Sequence, residues 1–271
     1  STRLAFVTEI PNADGTKRFA LQVSDSDGAN PRTVLQSKQP ILSPGWSPDG
    51  ERLSYVSFEN GKAEVFVQEM RTGRRDSVAA FKGINSAPAW SPDGKKLALT
   101  LSKAGNSEIY VLELATGKLS RVTHNSQAID TEAVWLPNNR ELVFTSDRGG
   151  RPQIYKVSAD GGRAKRLTYE GSYNTSADIS ADGKMMAIVH GQGGKFYIAV
   201  QDLKTGTVQV LTETGRDESP SFAPNSRMIL YATEQKGKGV LAAVSVDGRI
   251  HQRLGESGID VREPAWSPIR K

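Results

Sequence analysis

The stretch Trp46-Ser47-Pro48-Asp49-Gly50 returns along the chain, and its return decides the fold. It recurs as Trp90-Ser91-Pro92-Asp93-Gly94 and then in degraded form as Trp135-Leu136-Pro137-Asn138-Asn139, Ile179-Ser180-Ala181-Asp182-Gly183, Phe222-Ala223-Pro224-Asn225-Ser226 and Trp266-Ser267-Pro268. The anchors at 46, 90, 135, 179, 222 and 266 lie 44, 45, 44, 43 and 44 residues apart. A period of this length that carries several strands per unit marks a β-propeller.

One copy shows what each unit builds. Ala89-Trp90 reads as a short apolar strand. Ser91 to Lys95 is turn chemistry, with proline fixing φ and Asp-Gly closing a tight hairpin. Leu97-Ala98-Leu99-Thr100-Leu101 is apolar almost throughout, as expected of a strand covered on both faces. Glu108 to Leu112 is a third strand. After the turn Ala115-Thr116-Gly117, Lys118 to Thr123 alternates as a half-exposed fourth. The same scheme places second strands at Leu53-Ser57, Leu142-Ser146, Met186-His190 and Ile229-Thr233, and third strands at Val65-Gln68, Gln153-Val157, Tyr197-Gln201 and Leu241-Val246. Four antiparallel strands per repeat make one propeller blade.

The two ends complete the count. Arg3 to Thr8 matches the second strand of a blade, Phe19 to Val23 a third, and Thr33-Val34-Leu35 a fourth, whereas Glu263 to Pro268 is a lone first strand. Residues 1–40 plus 262–268 therefore form one shared blade, and five continuous blades lie between. The expectation is all-β: residues 1–271 as a single six-bladed β-propeller of four-stranded antiparallel blades. The C-terminal first strand pairs with the N-terminal strands to close the ring, which removes a free sheet edge.

Composition sets limits on function. Of 271 residues, 37% are apolar and 24% charged, with no run of about 18 apolar residues to span a membrane. No signal-peptide pattern opens the sequence. There is no cysteine, which excludes disulfides and thiolate metal sites. The net charge of +5 is scattered, as in Arg74-Arg75 and Lys95-Lys96, without interleaved aromatics; it reads as a solvated surface and not a nucleic-acid groove. The three histidines, His124, His190 and His251, are far apart, and no Gly-x-Ser-x-Gly elbow is present. Gly191-Gln192-Gly193-Gly194 joins two strands and opens no helix, so it is a hairpin loop and not a phosphate cradle. No catalytic residue emerges, and the chain reads as a non-enzyme that requires no cofactor.

One constellation remains. A short polar lead-in segment precedes each first strand: Leu42-Ser43-Pro44, Ser86-Ala87-Pro88, Thr131-Glu132-Ala133, Thr175-Ser176-Ala177, Glu218-Ser219-Pro220 and Arg262-Glu263-Pro264. First strands line a propeller's central channel, so these six segments converge on one channel mouth. The carboxylates of Asp130, Glu132, Asp217, Glu218 and Glu263 are expected there.

The repeats resemble the TolB-type propeller motif, in which Trp-Ser-Pro-Asp-Gly heads each blade. That motif also occurs in peptidase-associated propellers, but longer runs are similar to the TolB family itself. They include Lys17 to Gly28, Gln39 to Gly50, Gln201-Asp202-Leu203 with Val208 to Thr212, and above all Thr145-Ser146-Asp147-Arg148-Gly149-Gly150-Arg151-Pro152-Gln153-Ile154-Tyr155-Lys156-Val157. The resemblance implies a monomeric periplasmic propeller of the Tol–Pal system that binds the lipoprotein Pal, and colicin translocation segments, at the channel mouth. It implies roles in outer-membrane integrity and cell division. The family places an α/β domain before the propeller, and contact with TolA is expected only through that domain. Calcium can occupy the family's channel. Matching local motifs carries partner binding onto Ala87, Thr131 and Glu132, and onto Ile84, where relatives can have histidine; blade equivalence extends it to Ser176, Glu218 and Glu263. Two rival readings stay open: a metal-dependent, lactonase-like hydrolase with Glu132, Glu218 and Glu263 in one coordination shell, and a peptidase-associated propeller.

Overall fold

A computed structural model describes residues 2–255 and 259–269. Its described residues form strands and turns, with no helix. The strands of blade 1 are β1 (Arg3–Pro11), β2 (Lys17–Asp25) and β3 (Arg32–Ser37). Blade 2 holds β4 (Ile41–Trp46), β5 (Arg52–Ser57), β6 (Glu64–Glu69) and β7 (Arg75–Ala79). Blade 3 holds β8 (Asn85–Trp90), β9 (Lys96–Leu101), β10 (Glu108–Glu113) and β11 (Leu119–Arg121). Blade 4 holds β12 (Asp130–Trp135), β13 (Glu141–Ser146), β14 (Gln153–Ser158) and β15 (Lys165–Arg166). Blade 5 holds β16 (Tyr173–Ile179), β17 (Met185–Gln192), β18 (Lys195–Asp202) and β19 (Val208–Val210). Blade 6 holds β20 (Glu218–Phe222), β21 (Met228–Gln235), β22 (Lys238–Ser245) and β23 (His251–Leu254). The last strand, β24 (Asp260–Trp266), returns to blade 1.

Six four-stranded sheets result, and the sheet of blade 1 has the order β24-β1-β2-β3. The expected closure is present. Leu4 pairs with Trp266 and Ala5 with Ala265, antiparallel. Ser267 locks the joint, because its hydroxyl accepts from the Arg3 amide at 2.7 Å and its own amide donates to the Arg3 carbonyl at 2.8 Å.

The repeated turn explains its own composition. Ser91 is fully buried; its hydroxyl donates to Asp93 at 2.6 Å and accepts from the Lys96 amide at 2.9 Å. Asp93 also accepts from the Lys95 amide at 3.0 Å. Gly94 sits at φ 69°, where a side chain would be strained. Ser47 with Asp49 and Ser180 with Asp182 repeat the arrangement.

Core packing lies between blades. One apolar cluster joins Trp46 and Tyr55 of blade 2 to Ala5 and Leu21 of blade 1. Another packs Val56 and Val65 of blade 2 on Leu97 and Leu99 of blade 3. Equivalent clusters follow around the ring, and the last sets Leu4 and Phe6 against Leu230 and Leu241 of blade 6. Each blade is thus covered on both faces, which is why the second strands are apolar without alternation. The indoles stitch neighbours together: Trp90 Nε1 donates to the Gly45 carbonyl at 3.2 Å, Trp135 to Ala89 at 3.2 Å, and Trp46 to Ala265 at 3.3 Å.

Candidate functional site at the channel mouth

The lead-in segments are corrected by the structure. They do not precede the first strands; they lie inside them. In blade 2, Leu42 pairs with Val56 and Gly45 with Ser54, so Ser43 and Pro44 together oppose Tyr55 alone. This is a β-bulge, and it recurs in every blade: the register shifts between Ser86 and Ala89, Thr131 and Val134, Thr175 and Asp178, Glu218 and Ser221, and along Arg262 to Ala265. The first residue of each bulge has positive φ, from 48° at Ala87 to 54° at Glu132 and Ser219, with Ser43, Ser176 and Glu263 between. Proline fills the second position at 44, 88, 220 and 264, where a bulged residue needs no amide for the ladder.

The bulges aim six equivalent residues at the ring's axis. Ser43, Ala87, Glu132, Ser176, Ser219 and Glu263, with Glu218, line a mouth cavity of about 400 Å³. A second cavity of about 430 Å³, lined by the Trp and Ser-Pro residues, continues the channel toward the opposite face. Of the residues expected at the site, Ala87, Glu132, Ser176, Glu218 and Glu263 are therefore brought together. Ile84 and Thr131 stand beside the cavity and not in its wall. Ile84 is 48% exposed on the mouth face, its amide donating to Ser102 Oγ at 2.7 Å. The Thr131 hydroxyl bonds Thr100 Oγ1 at 3.3 Å.

Asp130 and Asp217 do not reach the cavity. Asp130 is fully buried and paired with Arg148 at 2.7 Å, and burial raises its carboxyl above the ordinary range although Ser146 and Arg148 oppose the shift. Asp217 is 2% exposed, with Thr212 and Thr214 each donating to it at 2.5 Å. Both fasten loops. Sequence reading placed Ser43 and Ser219 in the lead-in segments but not among the site residues, although they complete the ring; each stands directly before a proline and two residues short of Gly45 or Ser221, which was the available signal.

The mouth is acidic and its carboxylates are held by neighbouring blades. Glu132 accepts from Thr145 Oγ1 at 3.1 Å and from the amide and hydroxyl of Ser176 at 3.2 and 3.0 Å. Glu263 accepts from the Ser43 amide of blade 2. Burial pushes the Glu263 carboxyl up; the Ser43 amide opposes this, while the charges of Glu218 and Glu132 push further in the same direction. Glu218 is also pushed up by burial, with Arg262, 3.8 Å away, pulling against it. Deeper in, Asp178 accepts from the Phe222 amide at 2.6 Å, and burial pushes its carboxyl up to about 6.

No group of three His, Asp or Glu residues among the described ones lies close enough to hold a metal ion. The expectation that Glu132, Glu218 and Glu263 share a coordination shell is thus not met. They stand on blades 4, 6 and 1, and no cation cage is preformed among the described residues. No helix among the described residues is long and apolar enough to cross a membrane.

Comparison with known proteins agrees with this architecture. The family profile described as "TolB beta propeller domain" matches residues 1–270. A Tol-Pal system protein TolB from Nitrosococcus oceani is 65% identical over 268 residues, which is 99% of this chain and 62% of that relative. The protein of the same name from Xanthomonas campestris pv. campestris is 53% identical, over 99% of this chain and 61% of its own length. The crystal structure of TolB from Acinetobacter baumannii superposes with a TM-score of 0.93 at 46% identity, covering 99% of this chain and 67% of that one. The chain spans less than two thirds of the curated relatives, and with its six bulged blades closed head to tail it belongs to the TolB propeller family.

Proposed function

We propose that this ring is the non-enzymatic, protein-binding part of a Tol–Pal system component and that it receives the lipoprotein Pal at the channel mouth. The observation that carries the reading is the convergence of six left-handed bulge residues on one polar cavity. Holding non-glycine residues at φ near 50° costs about 1 kcal/mol or more each, and six such positions around one cavity suit a pre-organised contact surface. The names of the relatives support a place in the Tol–Pal system. On this reading the protein works in the periplasm, monomeric, in support of outer-membrane integrity and cell division. Colicin segments would enter at the same mouth, and contact with TolA would need a domain outside this chain. A bound calcium ion would have to draw part of its coordination from the partner, since no three acidic or histidine residues among the described ones form a cage.

Partner affinity at such a surface concentrates in a few residues near its centre. Thr131→Ile and Ala87→Arg are each expected to weaken binding of the soluble domain of Pal by at least about 1 kcal/mol. Thr131 has only a 3.3 Å hydroxyl contact to lose and Ala87 has no polar side chain, so melting should hold. Unaltered affinity by calorimetry in both variants would remove the mouth from the interface.

A further inference from the structure

The mouth face is lopsided. In blades 2, 3 and 4 the second and third strands, such as Arg52–Ser57 and Glu64–Glu69, have 6 residues each. In blades 5 and 6 they have 8, and in blade 1 they have 9. Second strands run back toward the mouth, as the pairing of Tyr173 with Gly191 shows, so their hairpins turn on the mouth face. Blades 5, 6 and 1 therefore rise as a wall beside a low terrace formed by blades 2, 3 and 4.

Between the raised hairpins of blades 5 and 6 lies a groove of about 640 Å³. Ser176 and Glu218 line both this groove and the mouth cavity, so the two are continuous. We propose that the groove is a second contact site, taking an extended, carboxylate-bearing segment of the same partner that covers the mouth; the inference rests on the mouth reading. Three features define the occupant. On one wall Tyr173 and Phe196 meet at 5.1 Å and 59°, and Phe196 is 39% exposed, which gives an apolar aromatic face. At the hairpin tip, Lys195 is exposed and has no ion-pair partner among the described residues. The other charges are engaged: Arg216 with Glu234 at 2.7 Å, Arg262 between Glu218 at 3.8 Å and Asp260 at 3.5 Å, and Asp217 with its two threonines. In the wall, Thr233 is only 8% exposed and its Oγ1 has no hydrogen-bond partner. A hydroxyl left unsatisfied beside a polar cavity is completed by a polar group that enters, and an acceptor oxygen suits it.

The groove is firm enough to pre-form the site. The Phe196 amide donates to Gly215 at 3.0 Å and the Asp217 amide to Phe196 at 3.1 Å, tying the blade 5 hairpin to the loop before β20. An acidic peptide beside Lys195 also offsets the acidic mouth, whose wall holds three glutamates and no lysine or arginine. A single partner could therefore be oriented by opposite charges at two adjoining places.

Calorimetry of the 271-residue chain with the soluble domain of Pal tests this with Lys195→Glu, Thr233→Val and, in the mouth, Ala87→Arg. Lys195→Glu is expected to bind about tenfold more weakly with a shallower salt dependence. Thr233→Val keeps the side-chain shape; it should bind about fivefold more weakly without melting lower, because no intramolecular hydrogen bond is lost. Wild-type affinity in Lys195→Glu and Thr233→Val, with binding lost in Ala87→Arg, overturns the groove and leaves the mouth. Wild-type affinity in all three overturns the mouth reading and the groove with it.

Discussion

Replacing Glu132 by alanine should cost stability, although the residue lines a cavity. Its carboxylate accepts three hydrogen bonds from neighbours, two of them from Ser176 of the next blade. Bonds to a charged acceptor contribute about 1.5–3 kcal/mol each when buried. Here the half-buried group faces an open channel, so water replaces part of what is lost and about 2 kcal/mol in total is a fair figure. Unfolding entropy near 2 cal/mol/K per residue makes each kcal/mol worth roughly 2 °C for a ring of 271 residues. Glu132→Ala should therefore melt about 4 °C lower by calorimetry. Glu132→Gly loses the same bonds but relieves a backbone held at φ 54°. It should be more stable than the alanine variant by about 1 kcal/mol, or roughly 2 °C, the reverse of the usual order within a strand. An alanine variant that melts with the wild type would show that the clasp between blades 4 and 5 contributes nothing. One that melts above the glycine variant would refute the strained bulge.

Three further outcomes follow from the geometry. The folded ring holds the Asp178 proton more tightly than the unfolded chain does, with a carboxyl raised to about 6 by burial, so stability should rise as pH falls through that value and level off near the ordinary 3.8. Asp178→Asn should raise the melting temperature at neutral pH but not near pH 4; equal gains at both would exclude this carboxyl as the cause. Ser91→Ala leaves the Lys96 amide and Asp93 without their buried partner and should cost about 1–2 kcal/mol, read as a shift in the denaturant midpoint with unchanged slope. Removing residues 260–271 strips the partner strand from Leu4 and Ala5, and should turn a monomer on size exclusion into aggregates; a monomeric, cooperatively unfolding product would mean that closure is dispensable.

Much of the site's geometry could have been inferred from the chain with one more step. Pro44, Pro88, Pro220 and Pro264 all fall two residues before the anchor aromatic, and proline inside a strand signals a bulge. Read that way, the residue before each proline becomes the one aimed at the channel. Taken instead as loops preceding the strands, the same segments suggested that every nearby carboxylate would reach the mouth. Asp130 and Asp217 show why that fails. Each lies only one or two residues from a channel-lining glutamate, yet strand alternation and the bulge turn it toward threonine and arginine partners in the blade.

The sequence alone determined the number of blades and the closure, because turn chemistry is local. A buried serine, a capping aspartate and a glycine at positive φ build the turn in blades 2, 3 and 5, and Asn139 and Ser226 take the positive φ in blades 4 and 6, so the period of the turn counts the blades and the half-units at the two ends reveal the joint. Only the tertiary structure decided which side chains share the mouth, that no three carboxylates among the described residues form a cation cage, and that Tyr173, Lys195 and Thr233 border one groove. Those facts depend on register, on bulges and on the packing of one blade against the next, and residues as far apart in the chain as Tyr173 and Thr233 carry no local mark of lying side by side.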